Sequence, residues 1–101
     1  MREKIVQQIL KAAEEMNEQL EKKIPVEMGV DAPLFGPGAA LDSLGLVSVV
    51  VAVEQSLADE FEVELSLASD RAFAQKHSPF RTIGSLADYA ESLLRAGGIR
   101  D

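Results

Sequence analysis

The sequence predicts an all-α fold: a bundle of four helices with a long first loop and a short third helix. Apolar residues recur at three- and four-residue spacing in the first, central and last parts of the chain, and proline and glycine fall between those parts. The one strand-like run, Val47 to Val53, sits inside a longer stretch with helical spacing. At 101 residues, 47% of them hydrophobic, the chain suits one folded domain with a core too small for a large buried site.

The first helix is predicted over residues 2–22. Ile5, Ile9, Met16 and Leu20, with Val6, Ala12 and Ala13 beside them, form its apolar face, and Pro25 ends it. Residues 24–41 form a long connection punctuated by Gly29, Pro33, Gly36, Pro37 and Gly38, too broken for helix or regular strand. Leu34 and Phe35 are the expected pins that hold this loop to the core.

The central helix is predicted over 43–60. VSVVVAV favours a strand on propensity alone. Length decides for helix: Leu44, Val47, Val50, Val51, Leu57, Ala58 and Phe61 keep helical spacing, and no glycine or proline follows Gly45. Its apolar residues cover more than half the circumference, so more than one neighbour should cover it. A short helix is expected over 66–75, carrying Leu67, Ala72 and Phe73. The last, over 83–95, has Thr82 as N-cap and Gly97-Gly98 as its stop.

Charge narrows the function. The net charge is -7. Residues 24–70 carry nine acids and no base, so the whole excess lies in the middle of the chain. Such acidity disfavours nucleic acid and anionic membranes and suits partners with basic docking patches. No apolar run is long enough to span a bilayer, and the charged N-terminus does not read as a signal peptide; a cytoplasmic monomer is expected.

Catalytic constellations are lacking. His77 is the single histidine, there is no cysteine, and no nucleophile elbow, P-loop or EF-hand spacing occurs. A protein without catalytic activity of its own is expected. What stands out is Ala40-Leu41-Asp42-Ser43-Leu44-Gly45, where the loop meets the central helix. Asp42 or Ser43 can serve as N-cap. Ser43 also stands at a helix N-terminus, where free amides and the dipole favour an attached phosphate.

Through LDSLGLVSVVVAVEQ at 41–55, the preceding DAPLFGPGAALDSL and the RTIGSLADYAESLL of 81–94, the chain resembles the acyl carrier protein family over nearly its whole length. The resemblance implies a single carrier domain over 1–101 with a four-helix bundle of acyl-carrier type. It also implies that Ser43 carries 4'-phosphopantetheine, added from coenzyme A by a phosphopantetheinyl transferase. Asp42 and Leu44 are then contacts at the attachment site. Asp42, Leu44, Val47, Glu54, Asp59 and Glu60 form the partner surface, read by acyltransferase or synthase enzymes and by a loading ligase. Cargo is held as a thioester on the arm, in fatty acid or other lipid, polyketide or cell-envelope metabolism.

Two features depart from the family. Carriers of fatty-acid synthesis usually place acids two and five residues after the serine; here those positions hold Gly45 and Ser48. The acids stand instead at Glu54, Asp59, Glu60, Glu62 and Glu64, and the central helix is about one turn longer than usual before its closing aromatic, Phe61. Asp-Ser-Leu-Gly with Asp70-Arg71 is also similar to D-alanyl carrier proteins, loaded with an amino acid by an adenylating ligase. An unmodified helical interaction domain is the alternative of another class. The wide apolar arc suggests an acyl pocket lined by Val47, Val50, Leu57, Phe73, Phe80 and Ile83, although a tightly packed core explains the same residues.

Overall fold

In the computed structural model, residues 2–20, 22–36, 41–63, 67 and 80–96 are described, Ser43 by its backbone alone. Helix α1 runs Arg2–Asn17, α2 runs Ser43–Phe61 and α3 runs Ile83–Ala96, with a 3-10 segment at Val26–Asp31 in the first loop. The described residues are mostly helical and contain no strand. The radius of gyration, 12.6 Å, matches the roughly 13 Å of a compact chain of this length.

Helix α1 buries Ile5, Ile9, Ala12 and Ala13, which fall on one face at helical spacing. It ends five residues before the predicted Lys22, and a side chain is the reason. The Asn17 amide donates to the Ile24 carbonyl at 3.0 Å, while its oxygen accepts the Ile24 N–H at 2.7 Å. This two-bond clasp turns the chain back and lets Ile24 reach the core. The tight bonds Gln19 N–H to Met16 O and Leu20 N–H to Asn17 O take up the last carbonyls. The Lys23 ammonium donates to the carbonyls of Asn17 and Leu20, a cation where the helix dipole favours one.

The first loop is more ordered than its punctuation suggests. Its 3-10 segment is two short turns joined at Gly29, whose φ of 64° and ψ of -130° suit a residue without Cβ. Beyond it the loop is held by main chain as well as by side chains. Leu34 N–H donates to Arg81 O at 2.8 Å, and Ile83 N–H donates to Ala32 O at 3.0 Å, around an antiparallel bridge between Pro33 and Thr82. The second bond satisfies a free amide in the first turn of α3. Of the expected pins, Leu34 is fully buried and Phe35 half-buried.

Helix α2 matches its prediction at the N-terminus and extends one residue further, to Phe61. It closes on Glu62, which takes a left-handed conformation, and Glu62 and Val63 both donate to Ala58 O. Helix α3 begins with reciprocal caps: Ser85 N–H donates to Thr82 Oγ1 and Thr82 N–H to Ser85 Oγ, each at 3.0 Å. Thr82 is therefore the expected N-cap. The short helix predicted over 66–75 and the Gly97-Gly98 stop lie outside the described residues, Leu67 excepted.

Side chains of all three helices meet in one apolar core, and no polar side chain is buried among the described residues. Helix α1 packs against both α2 and α3, and the 3-10 segment packs against α1 and α3. Among the described elements α1, rather than α2, is thus the hub. The wide apolar arc of α2 is only partly covered. Val49, Val50, Val53 and Leu57 are buried, whereas Leu44 and Val47 face solvent. Phe80 meets Tyr89 edge-to-face at 6.2 Å, where α3 begins.

Candidate functional site

The junction of loop and α2 is built on two buried leucines. Leu41 and Leu46 are 5% and 1% exposed and anchor the chain on either side of the turn. Between them Asp42 is extended, with φ -87° and ψ -178°, and its Oδ1 accepts the Gly45 N–H at 2.7 Å. Its carbonyl accepts the Leu46 N–H at 2.9 Å, the first bond of the helix. Asp42 is therefore the N-cap and Ser43 the first helical residue, which resolves the choice that the tripeptide left open.

Four consequences follow for chemistry. The amides of Ser43 and Leu44 have no partner inside the helix, since only the third is met by the cap. These donors, without a partner among the described residues, and the positive end of the dipole suit a phosphate attached at Ser43. Leu44 is 78% exposed, a large apolar side chain held in water beside the serine. Gly45 keeps the turn tight, because a Cβ there would lie 3.2 Å from both Asp42 Oδ1 and Leu41 Cδ2.

The other expected partner residues divide into two groups. Asp59 is exposed and makes no ion pair among the described residues, and Val47 is 39% exposed. Glu54 is bonded within the molecule, and Glu60 is exposed in a surface ion pair. Glu54 Oε2 accepts the Leu67 N–H at 2.7 Å, and Glu60 pairs with Lys4 of α1 at 3.5 Å. Their carboxylates tie α2 to its surroundings as well as adding charge.

The expected acyl-pocket residues also separate. Val50, Leu57, Phe80 and Ile83 share the buried core, while Val47 points away from it. Phe73 lies outside the described residues, as does His77. Sequence reasoning passed over Met28 and Val30, 52% and 40% exposed on the 3-10 segment. Their apolar character was visible, but the turn that exposes them depends on Gly29.

Comparison of the chain with protein-family models, curated proteins and solved structures gives no match. The described residues contain no group of three or more His, Cys, Asp or Glu placed to hold a metal, and no helix long and apolar enough to cross a membrane.

Proposed function

We propose that the protein is a carrier of acyl-carrier type, a four-helix bundle that bears 4'-phosphopantetheine on Ser43. The observation that carries the reading is the capped start of α2: Asp42 bonded to Gly45 N–H, Ser43 as first helical residue and Leu44 exposed beside it. The same turn offers the free amides of Ser43 and Leu44 to a phosphodiester. When bound, the group supplies a terminal thiol that holds cargo as a thioester.

The chain's own residues supply position and recognition. Asp42 fixes where α2 begins, Leu44 offers an apolar contact to the transferase, and the acids of residues 24–70 steer basic partners. Those partners are a phosphopantetheinyl transferase, a loading ligase, and acyltransferase or synthase enzymes. Gly45 and Ser48, where fatty-acid carriers hold acids, favour a specialised pathway over ordinary fatty-acid synthesis.

Incubation with coenzyme A and a broad-specificity phosphopantetheinyl transferase tests the reading. Intact mass should rise by one phosphopantetheine, and Ser43→Ala should remove the gain. An unchanged mass with several transferases would refute it.

A further inference from the structure

Entry of cargo into the core depends on what already fills it and on how firmly its walls are held. Val50, Leu57, Leu67, Phe80 and Ile83 are all fully buried in one apolar cluster. Leu67 is the decisive member. It follows α2 in sequence, yet its N–H donates to Glu54 Oε2 at 2.7 Å. Glu54 lies about two turns back from the end of that helix at Phe61. The chain is thus drawn back along α2, and the Leu67 side chain enters the core that holds Val50 and Leu57.

A second wall is held as firmly. Phe80 and Ile83 stand at the start of α3, where Leu34 N–H donates to Arg81 O at 2.8 Å and Ile83 N–H to Ala32 O at 3.0 Å. Gly84 brings α3 so close to the first loop that a Cβ would lie 2.9 Å from Val30 O. Making room for a hydrocarbon chain would break the carboxylate–amide bond at Leu67 or the main-chain bonds at α3, and would undo close packing in either case. Val47, the expected pocket residue nearest to Ser43 in sequence, is 39% exposed and lies outside this core.

We infer that cargo on Ser43 stays in water outside the bundle, and that the substrate is a short, polar acyl group, such as an aminoacyl or hydroxyacyl unit. A long alkyl chain without an apolar enclosure leaves each methylene hydrated, a cost that grows with length. A short polar group has atoms that water satisfies, so it loses nothing by remaining outside.

The inference rests on the carrier reading, and one experiment separates the two. The 15N-labelled chain is treated with a broad-specificity phosphopantetheinyl transferase and acetyl-, octanoyl- or tetradecanoyl-coenzyme A. The Ser43 hydroxyl displaces adenosine bisphosphate from the diphosphate and loses its proton, and the new phosphodiester carries the acyl arm. A mass gain that Ser43→Ala removes supports the carrier reading; no gain with any donor would overturn that reading and the inference with it. In the loaded proteins the amide shifts of Leu57, Leu67 and Ile83 should be the same for all three arms. Hydroxylamine should cleave the three thioesters at rates within about threefold of one another, because the fold protects none of them. Core shifts that grow with chain length, or longer arms cleaved more slowly than that margin allows, would overturn the inference and leave the carrier reading intact.

Discussion

Asp42 closes the first turn of α2 with a single short bond, so the start of the helix depends on one carboxylate. Asp42→Ala should cost about 1 kcal/mol in urea unfolding, and Asp42→Ser should recover most of it. An unchanged midpoint in Asp42→Ala would mean that the cap is not made in solution. At the other end Glu62 holds φ 55° without being glycine. It also places a carboxylate at the negative end of the dipole. Glu62→Gly should therefore raise stability by about 1 kcal/mol, visible as a higher Tm. That a cap stands at this junction was legible in the sequence, because cap residues act within three positions of themselves. The choice between Asp42 and Ser43 was settled only by the fold. The left-handed Glu62 was not legible, because nothing in its side chain asks for that conformation.

The elements were legible where periodicity is local. Helix α2 emerged despite its β-branched run because 19 residues at helical spacing outlast any strand of ordinary length. The end of α1 was obscured because Asn17 closes on Ile24, seven residues away, and no periodic pattern records such a clasp. The 3-10 segment was hidden because two short turns joined at Gly29 leave no amphipathic signature. The bridge between Pro33 and Thr82 is more remote still in sequence. Gly84 tests this packing. A Cβ there would lie 2.9 Å from the Val30 carbonyl oxygen and 3.2 Å from Val30 Cβ. Ordinarily Gly→Ala within a helix gains up to about 1 kcal/mol. Here Gly84→Ala should instead lose about 1–3 kcal/mol, since backbone must shift to make room. A higher Tm in that variant would show that α3 and the 3-10 segment stand further apart.

At the scale of the molecule, charge and core divide the work. The core is apolar among the described residues, and Leu57→Ala at its centre should cost about 2–5 kcal/mol. The surface is under electrostatic strain, with nine acids and no base between residues 24 and 70. The ion pairs among the described residues, Lys4 with Glu60, Arg2 with Asp88 and Arg95 with Glu91, lie at the surface and contribute little. Screening should relieve the repulsion, so the Tm should rise from low to moderate ionic strength, and a flat profile would contradict that account. The distribution of charge was readable from the sequence alone. Which acids remain available was not, because Glu54 finds its main-chain partner only in the fold. The central claim concerns Ser43, and peptide fragmentation after treatment with transferase and coenzyme A tests it most directly. One phosphopantetheine located on Ser43 is the predicted result; an unmodified chain, or the group on Ser48 or Ser56 instead, would contradict it.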